Sequence, residues 1–355
     1  MGSPLTVLVT GAGAPGITGT VHALRNNPSG EIPRIIGCDV RSDAVGQELV
    51  DAFATVPAPE SDDYLVSLLS VCRDHGVDVV LPQTTREVER LAAAGERLRA
   101  EGIALVTGQA EAVRRGNDKV ETLQAFESAG LTTPRWSLAR SVDEVADLAV
   151  EFGYPELEVV VKLPRGNGMR GFRVLSADAL RYEAFANAKP GDPRVALDAL
   201  LEVLATADDV ELLVMEYLPG VEYSVDCYRG PSGDAAVVRE RTAIRSGIAF
   251  DTVVVDRPDV GAMALRGAEE LGLDGVFGFQ FKESRDGSVM LLECNPRVQG
   301  TMVTSVLAGA NVVWAAVNDA LGRPPLSIPA PRIGTRLRRY WGGVDDAGTH
   351  IMGPA

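Results

Sequence analysis

Over residues 1–112 the chain alternates short β-branched runs with helix-like segments, and this alternation limits the fold more than any other feature. The runs are Leu5–Thr10, Arg34–Cys38, Val77–Leu81 and Ile103–Val106, separated by Val21–Asn26, Tyr64–His75 and Glu87–Ala100. Strands that alternate with helices of this length make right-handed βαβ units, so an open α/β domain with a parallel sheet is expected. A second unit opens with the helix-like Asp118–Ser128, stopped at Ala129-Gly130. Glu144–Phe152, Leu157–Leu163 and Glu211–Met215 continue a βα pattern, and Ala188–Pro193 reads as a surface loop. After Pro219-Gly220 the chain turns strand-rich: Glu222–Tyr228, Ala235–Arg239 and Ala249–Val255, a helix at Val260–Leu271, then Gly275–Lys282 and Ser288–Glu293 joined by an Arg285-Asp286-Gly287 hairpin turn. Pro324 to Pro331 is a stiff connector to a last strand, Gly334–Tyr340. The expected class is α/β plus α+β, divided as 1–112, 113–217 and 218–355.

Composition removes several functions. The 355 residues carry 49 acidic against 34 basic side chains, net charge −15, which argues against holding nucleic acid by general phosphate neutralisation. No stretch approaches the roughly 20 apolar residues of a membrane helix, and MGSP leads into LTVLVT without a basic region, so a cytoplasmic protein with no membrane partner is expected. Cys38, Cys72, Cys227 and Cys294 form no C-x-x-C pair and read as reduced, buried thiols. The three histidines fit no zinc frame, and no G-x-S-x-G elbow supports a serine hydrolase.

Four motifs carry chemistry. Gly11-Ala-Gly13-Ala-Pro-Gly16 follows a strand and precedes a helix, with Asp39 ending the next strand. Alone it reads either as a dinucleotide fingerprint, with Asp39 on a ribose hydroxyl, or as a tight βα turn. In Val159-Val-Val-Lys162-Leu-Pro-Arg165-Gly166-Asn-Gly168-Met-Arg170-Gly171 a hydrophobic strand delivers one of only four lysines into a glycine-rich loop. Free amides there could close over polyphosphate oxygens, with Lys162 as a point charge; the alternative is a hairpin with a solvated lysine. Gln280 lies across a hairpin from Glu293 and Asn295, which are two apart and face one side of a strand. A carboxylate and two amide oxygens suit Mg²⁺ or Mn²⁺, and Arg297 would meet an oxyanion beside it. Finally, Glu216-Tyr217-Leu218 runs into a Pro-Gly connection before Glu222, a pattern for an adenine edge and ribose hydroxyls, or a plain loop.

In this order and spacing the motifs resemble the ATP-grasp superfamily, in particular one synthetase half of the carbamoyl-phosphate synthase large subunit and stand-alone carboxylate-amine ligases. The resemblance covers almost the whole chain. It implies a Rossmann-like pre-ATP-grasp domain followed by a two-subdomain ATP-grasp module that clamps ATP, and a glycine loop at 11–16 that faces the active site without binding NAD. It assigns Lys119 and Lys162 to phosphate contacts, Gly166, Gly168 and Gly171 to the covering flap, Glu216, Tyr217 and Leu218 to the adenine hinge, Glu222 to ribose, and Gln280, Glu293 and Asn295 to the metal. Arg297 and Lys162 would act on the transferring phosphoryl group. Arg245, within Arg239–Gly247, would line the substrate end, where Gly11–Gly16, Pro82–Arg86 and Ser246-Gly247 are further candidates. The implied reaction activates a small carboxylate to an acyl phosphate and passes it to an amine, releasing ADP and phosphate. Phosphoryl transfer to a small acid or carbamate is the alternative, and a nicotinamide- or nucleotide-binding sensor a third. The synthase has two such halves in tandem and this chain one; a homodimer is implied by resemblance alone.

Overall fold

The computed structural model describes residues 4–166, 168–180, 191–245, 247–340, 343, 344, 350 and 351. Asn167, Ser246, Lys189 and positions 188–190 of the expected Ala188–Pro193 loop lie outside them. The chain divides into two compact units, Met1–Asn117 with Glu222–Gln280 and Glu293–Ala355, and Asp118–Val221 with Phe281–Leu292.

The first unit begins with a five-stranded parallel sheet of β1 (Thr6–Val9), β2 (Arg34–Asp39), β3 (Ala52–Thr55), β4 (Val79–Leu81) and β5 (Ala104–Leu105), in the order β3-β2-β1-β4-β5. Every residue of β1 is buried because both faces are covered. Val7 and Val9 pack against Trp314, while Leu8 on the opposite face joins Tyr64 and Leu68. The strand order reverses between β1 and β4, so the loops after these two strands, Gly11–Gly16 and Pro82–Thr85, flank the crevice where open α/β sheets take ligands. The helix Val312–Ala320, whose face carries Trp314, falls where the sequence suggests no element. Its residues 312–318 are all buried, so its apolar residues leave no amphipathic period to read.

A second sheet has six strands: β11 (Glu222–Arg229), β12 (Ala235–Arg245), β13 (Ile248–Val254), β14 (Gly275–Glu283), β15 (Val289–Asn295) and β16 (Arg336–Arg338), in the order β15-β14-β11-β12-β13-β16. β12 extends six residues past the expected end at Arg239, because Arg239 and Arg241 sit buried on acidic partners where the sequence suggests a polar break. The final strand is shorter than Gly334–Tyr340.

The second unit has its own sheet, β6 (Trp136–Ala139), β7 (Val159–Lys162), β8 (Arg173–Leu175), β9 (Arg194–Val195) and β10 (Leu212–Glu216), in the order β6-β10-β7-β8-β9. Val159, Val161, Leu212 and Val214 form its core with Phe152 and Val145. All four cysteines are free and buried, and burial pushes their thiols up, Cys72 to about 12.

Candidate active site

In the second unit, alternation along β7 sends Val159 and Val161 into the core and leaves Lys162 on the other face. Lys162 is buried, and its Nζ donates to the Leu292 carbonyl at 3.0 Å. The helix Lys119–Ser128 is capped by Asp118, whose carboxylate accepts from the Val120 and Glu121 amides at 2.9 and 3.2 Å. That cap places Lys119 at the helix head, where its Nζ donates to the Gly166 carbonyl at 2.7 Å and its amide to Pro164 at 3.1 Å. Arg165 pairs with the same Asp118 at 3.0 Å. Lys119 thus reaches the base of the glycine-rich loop, while Lys162, which precedes that loop in the chain, turns its ammonium to the Leu292 carbonyl. Within the loop Gly168, Met169 and Gly171 have φ of +61°, +62° and +66°. A side chain at Gly171 would meet Leu163 at 2.5 Å. Met169 holds a left-handed conformation that costs a non-glycine residue about 1–2 kcal/mol, the kind of strain that concentrates at functional loops. Glu216 ends β10 with its carboxylate accepting from the Arg135 amide at 2.7 Å, Tyr217 lies 5.3 Å from the Lys282 ammonium, and Leu218 is buried.

In the first unit, Asn295 Nδ2 donates to Glu293 Oε1 at 3.3 Å, so the two share one side of β15 as their spacing predicts. Arg297 donates Nη2 to Asn295 Oδ1 at 2.8 Å, Nε to Thr85 Oγ1 at 3.2 Å and Nη1 to the Val298 carbonyl at 3.0 Å. Burial lowers its pKa from the guanidinium value. Gln280 Oε1 accepts from Arg241 Nη1 at 2.7 Å, and the same nitrogen pairs with Glu222. Each amide oxygen of the metal set is therefore held by an arginine, and Glu222, the expected ribose carboxylate, is ion-paired. Sequence reasoning passed over Arg241; its signal is the Arg239-x-Arg241 spacing, which puts both cations on one face of an apolar strand. Arg245 lies over the Phe250 ring, 4.9 Å from its centroid. Among the described residues no three His, Cys, Asp or Glu could hold a metal ion. One carboxylate with amide oxygens nevertheless fits Mg²⁺, which typically takes one or two carboxylates and completes its shell with phosphates and water.

The loop Gly11–Gly16 is filled by the protein itself. Asp39 accepts from the Gly13 amide at 2.7 Å and the Arg41 amide at 3.1 Å, so both its oxygens serve the chain rather than a ribose. Gly11 has φ +59°, and a side chain there would sit 2.5 Å from Thr84 Cγ2. Thr84 caps the helix Thr85–Ala93, and Glu87 accepts from Thr84 Oγ1 at 2.7 Å and Thr10 Oγ1 at 3.0 Å. Arg339 donates to the carbonyls of Pro15, at 3.2 Å, and Gly300, tying the loop to the segment after Arg297.

Residues 208–341, which hold β11 to β16 and the Glu293, Asn295 and Arg297 cluster, match the family described as ATP-grasp in the biosynthetic pathway with Ter operon. These residues carry an ATP-grasp family segment. Residues 7–106 match the PylC-like N-terminal domain. The chain is 27% identical over 311 residues to the formate-dependent phosphoribosylglycinamide formyltransferase of Prochlorococcus marinus, covering 86% of this chain and 72% of that one. It is 27% identical over 231 residues to the carbamoyl phosphate synthase large chain of Deinococcus radiodurans, covering 64% of this chain and 21% of the other. Its fold is similar to that of the biotin carboxylase β,γ-ATP complex from Campylobacter jejuni, with TM-score 0.68, 18% identity, and coverage of 94% and 74%.

Proposed function

We propose that this protein is an ATP-dependent carboxylate-amine ligase that works in the cytoplasm through an acyl phosphate. The observation that carries the reading is the cluster at the end of β15, where Glu293, Asn295 and Arg297 lie in one hydrogen-bonded line. A carboxylate oxygen of the substrate attacks the γ-phosphorus of ATP, the bond to the β-phosphate oxygen breaks, and ADP leaves. The amine nitrogen then attacks the acyl carbon, the carbon–oxygen bond to phosphate breaks, and the amine gives up a proton as the amide forms.

The residues position and neutralise. Lys119 and Lys162 offset phosphate charge, Glu216 to Leu218 present backbone groups to adenine, and Glu222 takes ribose hydroxyls. Glu293, Gln280 and Asn295 would hold Mg²⁺, which supplies charge neutralisation at the phosphates when bound. Arg297, fixed by Asn295 and Thr85, faces the oxyanion that develops during transfer. The Gly166–Gly171 loop closes over the phosphates and keeps water from the acyl phosphate. Arg245 contributes to the carboxylate end.

An ADP-release assay with Mg²⁺, a panel of carboxylates, and each acid with and without amines tests this. ADP that appears only when one acid and one amine are both present, and disappears in Glu293→Ala, is the expected result. ADP release that needs an acid alone would replace the ligase with phosphoryl transfer.

A further inference from the structure

Two arginines stand two residues apart on β12, and they are satisfied in different ways. Arg239 is fully buried with Asp226: Nε and Nη2 form a two-pronged pair at 2.7 Å each, and Nη1 donates to Thr301 at 3.0 Å and Thr252 at 3.4 Å. This is a closed network that locks strands together. Arg241 is almost as buried, its side chain 5% exposed, yet its partners belong to three separate functional groups. Nη1 pairs with Glu222 and donates to Gln280 Oε1 at 2.7 Å, while Nη2 donates to the Gly247 carbonyl at 2.6 Å. Its Nε is buried without a hydrogen-bond partner.

A buried ion pair with one donor left unpaired is a poor device for stability, since desolvation offsets the Coulomb gain and the orphan N–H adds a cost. A guanidinium has donors only, so it also decides which atom of Gln280 faces it. The amide oxygen is turned to Arg241, one of its lone pairs is engaged, and the second stays available to a cation. Glu222, 16% exposed, keeps an orientation that would otherwise be open to rotation.

We propose that Arg241 is a positioning residue that couples sugar recognition by Glu222 to metal coordination by Gln280. This rests on the assignment of Glu222 to ribose and Gln280 to the metal. Ribose hydroxyls that bond Glu222 reset its ion pair with Arg241, and through the shared Nη1 they shift the Gln280 oxygen. Sugar and metal therefore bind cooperatively. Gly247 places the loop after β12 in the same network.

The test is calorimetric titration of the whole chain with ADP and with 2′,3′-dideoxy-ADP, each with Mg²⁺ and with chelator. The native protein is expected to prefer ADP over the dideoxy nucleotide by about tenfold, which is about 1.4 kcal/mol, and the preference is expected to be larger with Mg²⁺. In Arg241→Gln both the sugar preference and its dependence on Mg²⁺ fall toward one. Arg241→Lys, which keeps the charge but not the two-pronged reach, restores part of the preference. Because Arg241→Gln removes a buried cation and could unfold the chain, Glu222→Gln is read beside it: it must reduce the Mg²⁺ enhancement as well as the sugar preference. A Glu222→Gln protein that loses only the sugar preference, or an Arg241→Gln protein that melts lower yet keeps both ratios, would overturn the coupling. Native protein that binds ADP without regard to the sugar removes Glu222 from the ribose and overturns the proposal at its base, and native protein that binds no ADP overturns the nucleotide reading with it.

Discussion

The chain has two glycine-rich turns that look alike on paper. In Gly11–Gly16 the backbone is packed from within: Asp39 holds the Gly13 amide, Thr84 and Glu87 crowd Gly11, and Arg339 pins the Pro15 carbonyl. In Gly166–Gly171 residues 168–171 are exposed, and two glycines and a methionine adopt left-handed conformations. Lys119 donates to the Gly166 carbonyl of the second turn, Leu163 packs against Gly171, and Arg165, just before the turn, pairs with Asp118. Glycine spacing alone therefore does not mark a phosphate loop. What matters is whether the protein's own side chains already consume the loop's amides.

The largest effect expected is in turnover. Glu293→Ala removes the only carboxylate of the proposed metal set and should lower ADP release by about 100-fold or more, with little change in melting temperature because Glu293 is only part-buried. Next come the two turns themselves. Gly11→Ala should cost about 2–4 kcal/mol of stability, from the forced φ and the overlap with Thr84. Gly168→Ala carries only the left-handed backbone cost of about 1–2 kcal/mol, since its added carbon meets Arg170 at 3.5 Å, so it should lower stability less than Gly11→Ala and raise the KM for ATP. Equal stability losses in both would erase the distinction. Asp39→Ala should destabilise by about 1–2 kcal/mol through the unpaired Gly13 amide, and titration with NAD should give no heat in either form.

The smallest effect concerns pH. Burial raises the Glu87 carboxyl above its ordinary value, with the Thr84 and Thr10 hydroxyls opposing. The folded protein therefore favours protonated Glu87. That contribution is complete below the unfolded value of about 4.3 and is lost as pH rises through the folded value. Denaturant titrations should show the native protein losing more stability than Glu87→Gln over that interval, and parallel curves would contradict the burial argument.

Much of this was legible in the sequence. The alternation over residues 1–112 announced the parallel sheet, and the Asp286-Gly287 step announced the hairpin that carries Glu293 and Asn295. Strand periodicity put those two side chains on one side. The helix Val312–Ala320 escaped because its first six residues, 312–317, are all apolar and leave no amphipathic period. Arg241 escaped because its role depends on Glu222 and Gln280, 19 and 39 positions away, which no local pattern joins. The bond between Asp39 and Gly13 likewise spans 26 positions, so sequence could not decide between a ribose and the chain's own amide.

Lys162 and Glu293 lie in different compact units, and the proposed function has both act on a single ATP. The most direct measurement is calorimetric titration with ADP and Mg²⁺, in parallel with NAD, on the native protein, Lys162→Met and Glu293→Ala. One ADP per chain, weakened by about tenfold or more in each variant, with no NAD binding, is the predicted result. Tight NAD binding, or ADP affinity unchanged by either substitution, would contradict it.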